Sequence, residues 1–270
     1  MPSAIRPPAV AGRFYPRRPD ELLRDIHNYS AASQPAVAAL GCVAPHAGYM
    51  YSGHVAGAVY ARLEIPQRCV VLCPNHTGMG HPLATMTGTA WQTPLGEVAP
   101  DPELGDALLR AFSPLQENSS AHRAEHAIEV QLPFLQTRQP ELKFVPIAIG
   151  TSDFEVLHGL GEALASVISA QSEKVLIVAS SDMNHYESDA VTRVKDHKAI
   201  ARVLALDPRG LWEVVMKEDI SMCGFGPAVV MLTAAKRLGA TSATLVKYAT
   251  SGDISGDREA VVGYAGIIVT

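Results

Sequence analysis

No stretch of this chain is long and apolar enough to span a bilayer, which takes roughly 20 consecutive residues. The opening residues, MPSAIRPPAVAGRFYP, hold no apolar core of a secretory signal, so a cytoplasmic protein is expected. There is no long basic run, the formal net charge is -5 and the pI is about 6.0. A broad phosphate-neutralising surface is thereby excluded, and no direct nucleic-acid contact is expected. Cysteine is scarce, with four in the chain: Cys42, Cys69, Cys73 and Cys223. The first three fall in or beside apolar runs and read as small buried hydrophobes. Cys69 and Cys73 would share one face of an extended run, too far apart to bridge, so no disulfide framework is expected and a reducing compartment fits. No GxGxxG follows a strand, and neither GxxxxGK[ST] nor a GxSxG elbow occurs. Dinucleotide, P-loop and serine-hydrolase readings lose their usual signatures. Internal repeats, low-complexity tracts and linkers are also missing.

What remains is a chain of 270 residues, 47% hydrophobic and 18% charged, ordinary values for a globular protein with a sizeable core. Apolar strand-like runs alternate with helical patterns. Strands are expected at residues 39–44, 69–73, 143–149, 174–180, 244–250 and 261–269, with a hairpin excursion in 82–98. Helices are expected at 19–33, 53–63 (capped by Ser52), 102–112 (capped by Asp101), 126–137 (kinked at Pro133), 154–171, 189–206, 208–217 and from Cys223 to Leu238. Small residues on the second helix (Gly53, Ala56, Gly57, Ala61) suit a close approach to a sheet. The N-terminal 18 residues read as an extended segment packed over the domain and anchored by Phe14 and Tyr15. The fold class expected is α/β: one three-layer α/β/α domain, residues 1–270, around a central, mostly parallel or mixed sheet.

Three of the apolar strands end in a polar tip. VVLCPNHTG ends in His76, LGCVAPHAGY in His46, and VLIVASSDMNH in Asp182 and His185. A strand buried on both faces is continuously apolar, and open α/β sheets bind ligands outside the strands' carboxyl ends. A shared polar site is the expectation, built by loops after adjacent strands. Neutral imidazole is the commonest metal ligand and titrates near neutral pH. Cys223, in MCGFGP just before a helix, would have its thiol pKa lowered by the helix N-terminus and by a metal. His-His-Cys ligation leaves a position open for substrate or water. Asp182, Asn184 and His185 read as ligands, orienting groups or acid–base groups. Glu125, His126 and Glu129 read as either a solvated helix face or a pocket set. Of Tyr49 and Tyr51, one is expected to face the site and the other the core. His54, His81 and His122 are weaker candidates.

Taken in order, VAGRFYP, APHAGYMYSG, CPNH, EHAIEVQLPFLQ, SSDMNHY and CGFGP resemble the motifs of the Memo family, over residues 6–268. The resemblance implies a fold similar to the class III extradiol ring-cleaving dioxygenases, which use non-haem iron(II). It implies that His46, His76 and Cys223 form the metal site, that Asp182 and His185 line the same pocket, and that Tyr51 belongs to it. Where the dioxygenases have a carboxylate as third ligand this chain has Cys223, and a thiolate favours softer metals. The resemblance makes iron(II) the first expectation, the thiolate adds copper or zinc as alternatives, and dioxygenase-like redox chemistry is the activity implied. The family also includes members described as adaptors that bind phosphotyrosine peptides. A small-molecule or peptide ligand, and radical-SAM and AMMECR-type protein partners, are what the resemblance adds.

Overall fold

The computed structural model describes residues 5–30 and 35–270. The chain opens with a two-residue strand, β1 (Ile5–Arg6), and helix α1 (Pro19–Tyr29); the expected end of that helix at Ser33 lies outside the described residues. Strand β2 (Gly41–Ala44), helix α2 (Tyr49–Ala61) and strand β3 (Arg68–Pro74) follow. Next come β4 (Leu83–Thr85), the hairpin β5 (Ala90–Thr93) and β6 (Gly96–Pro100), helix α3 (Pro102–Ala111) and the short β7 (Gln116–Glu117). Helix α4 (Leu132–Arg138) leads to β8 (Lys143–Ile149), α5 (Phe154–Ser169), β9 (Val175–Ser180) and β10 (His185–Glu187). The chain closes with α6 (Asp189–Leu204), α7 (Pro208–Lys217), α8 (Phe225–Arg237), β11 (Ala243–Thr250), the single turn α9 (Gly252–Ser255) and β12 (Val261–Val269).

The strands form one mixed sheet in the order β1-β5-β6-β8-β3-β9-β2-β12-β10, with β11 against β12 and β4 against β8. Its centre, β8-β3-β9-β2, is parallel, and β12 closes antiparallel on β2. The period-2 pleat divides the core. On β3, Val70 and Leu72 face one side with α3, α5, α6, α7 and α8, while Cys69, Val71 and Cys73 face the other with α1, α2 and α4. The three-layer α/β arrangement is thus as expected, and the three cysteines are fully buried core residues.

Four local expectations are corrected. The strands that end in His46 and His76 are not neighbours, because β9 enters between them and its loop fills the middle of the site. Helix α2 begins four residues early, at Tyr49, with Gly48 as its cap; Ser52 lies inside the first turn and its hydroxyl donates to the Ala47 carbonyl. Gly53 and Gly57 face helix α1 and not the sheet: a Cβ on Gly57 would lie 2.6 Å from the backbone of Tyr29. Helix α4 starts only at Leu132, with Pro133 in its first turn, where a missing N–H costs nothing, so no kink results. The preceding residues 126–131 form tight turns. The Asp101 cap of α3 is as expected, its carboxylate accepting from the Leu104 amide.

Candidate metal centre

The polar tips of β2, β3 and β9 meet at one end of the sheet. His46, His76 and Cys223 each offer a ligand atom, and the three atoms lie within 4.8 Å of one another. Cys223 Sγ is 3.2 Å from His46 Nε2. The loop before α8 can bring the thiol this close because Gly224 has no side chain: a Cβ there would sit 2.4 Å from both Ser180 O and Ser181 Cβ. A cavity of about 520 Å3 opens onto the three, walled also by His126, Asp182, His185, Phe14, Tyr186 and Val262.

The tautomer of His46 follows from the partners of Ser180. The Ser180 hydroxyl donates to the Ala127 carbonyl (2.7 Å) and accepts from Gln131 Nε2 (2.8 Å). Gln131 is itself oriented, since its Nε2 donates to the Pro45 carbonyl and its Oε1 accepts from Tyr60. With the Ser180 proton committed, His46 Nδ1, 2.9 Å away, is the donor, and its Nε2 lone pair is left facing Cys223 and the cavity. Burial, then the charges of His76 and His126, push the His46 pKa well below the usual imidazole value, so the ring is neutral, the form that binds metal.

His76 is held the same way by Glu125. Its ring Nδ1 lies 2.9 Å from Glu125 Oε1 and its backbone amide donates to Oε2 at 2.7 Å. Glu125 also accepts the amides of His126 and Ala127. Burial raises this carboxyl, but the His76 hydrogen bond and charge and the Ala127 amide outweigh it and bring its pKa down to about 2. An ionised Glu125 only accepts, so His76 Nδ1 donates; burial works against the charged ring, but the Glu125 hydrogen bond and charge raise its pKa, and a metal at Nε2 would take the place of a proton there. His126 Nδ1 also approaches Glu125, at 3.5 Å, and its ring stacks on His76 with centroids 4.8 Å apart.

The Cys223 thiol is pushed well up by burial and then by the charge of Asp182. Without a cation it is therefore a thiol donating toward His46, and a metal would take the place of that proton. In the metal-free site the helix N-terminus does not bring the thiol down: burial dominates. Asp182 Oδ1 accepts the His46 amide at 2.7 Å and the Ala47 amide at 3.3 Å, tying the third loop to the first. Burial raises its pKa, against the pull of those amides and of His185. His185 Nδ1 lies 2.8 Å from the Ser221 carbonyl, which can only accept, so Nδ1 is the donor. Asn184 is buried and receives the Ser221 amide and hydroxyl; it supports His185 without facing the cavity.

Of the residues singled out from sequence, His46, His76, Cys223, Asp182 and His185 come together. Tyr51 is outside the cavity lining and packs with Val55, Ala249 and Tyr264. Tyr49 is in the core, its hydroxyl on the Val130 carbonyl. His54, His81 and His122 also stand outside the lining. The sequence reading left His126 in a set with two carboxylates; the structure separates their roles. His126 faces the cavity, Glu125 backs the histidines, and Glu129 lies behind them. Glu129 accepts from Arg6, Tyr15 and the amides of Ala9 and Val10, clamping the N-terminal segment to the wall of the site. Phe14 on that segment packs against His126, with ring centroids 4.7 Å apart. Ser180 and Gln131 escaped the sequence reading: a strand-terminal Ser and a helix-initiating Gln carry no signal without the tertiary contact.

The family model for Memo-like proteins matches residues 6–268 of this sequence. The chain belongs to the Memo-like family. A MEMO1 family protein of Methanosarcina barkeri is 45% identical over 267 residues, covering 98% of this chain and 100% of the relative. Another, from Methanopyrus kandleri, is 43% identical over 277 residues, covering 97% and 98%. Among solved structures, an uncharacterized protein of Escherichia coli K12 shares the fold with a TM-score of 0.55 at 14% identity, over 84% of this chain and 98% of that one. In this Memo-like chain the histidines and the cysteine of the family motifs are the residues that converge on the cavity. Among the described residues no helix is long and apolar enough to cross a membrane.

Proposed function

We propose that this chain is a non-haem metal protein that holds iron(II) or copper through His46, His76 and Cys223 and carries out dioxygenase-like or other redox chemistry on a small molecule. The observation that carries the reading is the paired tautomer control. Ser180 and Glu125 each occupy a ring Nδ1, which points the Nε2 atoms of both rings to a metal, and His46, His76 and Cys223 each offer one ligand atom within 4.8 Å of the others. Donor pairs around a metal with bonds of about 2.0–2.3 Å fall naturally within such a spacing. When bound, the metal supplies Lewis-acid and electron-transfer chemistry.

The chain's own residues supply the rest. Phe14, Val262 and Tyr186 give the cavity apolar walls against which a ligand can pack. His185 Nε2 accepts a proton from a bound ligand, and the Ser221 carbonyl stabilises the imidazolium through Nδ1. Asp182 fixes the His46 loop through the amides and leaves Oδ2 without a hydrogen-bond partner in the protein to take a ligand hydroxyl. No Arg or Lys lines the cavity and His46 is held neutral, so an anionic ligand would rely on His76, whose pKa is raised through Glu125, in place of a guanidinium fork. Four free cysteines suit a reducing compartment, and we place the protein in the cytoplasm.

The test is metal content after anaerobic purification. The wild type is expected to carry close to one equivalent and Cys223→Ala well under half of it. Equal, substoichiometric content in both would remove the ligand assignment.

A further inference from the structure

A second cavity, of about 350 Å3, lies beyond the ends of β3 and β8 and against the start of α8. Its walls include Asn75, Gly150, Thr151, Ser152, Phe225 and Gly226. The residues it has in common with the larger cavity are His76 and Cys223. The two proposed ligands therefore form a partition, with the Phe14–Tyr186 cavity on one side and this smaller one on the other.

The two spaces differ in chemistry. The larger holds four histidines and Asp182, groups that orient and exchange protons with a polar ligand. The smaller has no charged side chain apart from His76 when protonated, and its lining is shared between the neutral polar groups of Asn75, Thr151 and Ser152 and the apolar Pro74, Ile149, Phe225 and Pro227. A space lined by neutral polar and apolar groups favours small uncharged molecules over ions, because it offers an ion no opposite charge to pair with. The partition is also thin on this side. Gly150 and Gly226 border it without side chains, and a Cβ on Gly150 would meet only ordinary contacts at 3.4 Å and beyond, so the space can be filled by substitution.

We propose that this cavity is a second approach to the Cys223–His76 edge of the centre, taking a small uncharged co-ligand while the larger cavity holds the substrate. It rests on the reading of His76 and Cys223 as ligands, yet it concerns access to the thiol and can be tested on the metal-free chain. The probe is iodoacetamide, a small neutral alkylating agent, with modification of Cys223 read by mass spectrometry. Cys42, Cys69 and Cys73 have no exposure and stay unmodified while the fold is intact, so they report on unfolding in the same experiment.

Val262→Trp narrows the larger cavity. Ser152→Trp, at an exposed position, and independently Gly150→Val, fill the smaller one. Val262→Trp alone is expected to leave Cys223 labelling within about threefold of wild type. Adding either filler is expected to slow it at least tenfold, with the other three cysteines silent. Abolition of labelling by Val262→Trp alone, or indifference of the Val262→Trp background to both fillers, would overturn the proposal. Either result leaves the metal content of the wild type and of Cys223→Ala untouched, so failure here is separable from failure of the ligand assignment.

Discussion

Ser180 has one hydroxyl proton, for which the Ala127 carbonyl and His46 Nδ1 compete while Gln131 donates to the hydroxyl oxygen, and the outcome sets which nitrogen of His46 faces the thiol. Removing the hydroxyl leaves Nδ1 without its acceptor and lets the ring turn or change tautomer. Ser180→Ala is therefore expected to weaken metal affinity about 10–100-fold while leaving the fold intact, as loss of a ligand's outer partner generally does. Competition against a chelator of known affinity measures it. Glu125 acts on His76 in the same way and adds a pH signature. Its folded pKa of about 2 lies below the ordinary 4.5, so its stabilisation is fully present above about 4.5 and is lost as pH falls through about 2. Glu125→Gln removes that ionisation. The variant is expected to be less stable than wild type at neutral pH, with the gap closing as pH drops below about 4, as measured by urea unfolding across the acid range.

Elements place these residues, and their contacts account for where sequence patterns succeed or fall short. Helix α2 lies against α1 because Gly53 and Gly57 admit the ring and backbone of Tyr29. Gly57→Ala puts a methyl 2.6 Å from Tyr29 backbone atoms, which cannot rotate away, so the two helices must separate. A loss of about 1–3 kcal/mol in urea unfolding is expected. The composition of α2 announced a close approach, but small residues do not say to which neighbour. The strands were legible because β2, β3, β8 and β9 are buried on both faces and read as unbroken apolar runs ending at polar residues. Strand order was not legible: β9 is later in the chain than β8 yet inserts between β3 and β2, and local alternation holds no information on insertion. Helix α4 misled for a related reason. Ile128, Leu132 and Leu135 are all buried and fit a helical period. Residues 126–131 nonetheless form tight turns, because Glu125 binds the His126 and Ala127 amides and Gln131 reaches into the site.

At the scale of the whole molecule, the centre depends on segments far apart in the chain. The N-terminal segment packs Phe14 against His126 and is clamped by Glu129; β2, β3 and β9 bring their tips together; the loop before α8 adds Cys223. The motifs named His46, His76, Cys223, Asp182 and His185 because each sits where a buried strand ends or a helix begins. They could not name Ser180 or Gln131, whose roles exist only once the sheet is assembled, and they include Tyr51, which lies outside the cavity lining in a cluster with the lining residues Ala47 and Val262. The account turns on a metal bound by two imidazoles and one thiolate. X-ray absorption on anaerobically purified protein tests this most directly. The account predicts a metal edge whose first shell includes one sulfur at about 2.3 Å beside nitrogen at about 2.0–2.1 Å, the sulfur being lost in Cys223→Ala. A first shell of nitrogen and oxygen alone in the wild type would contradict it.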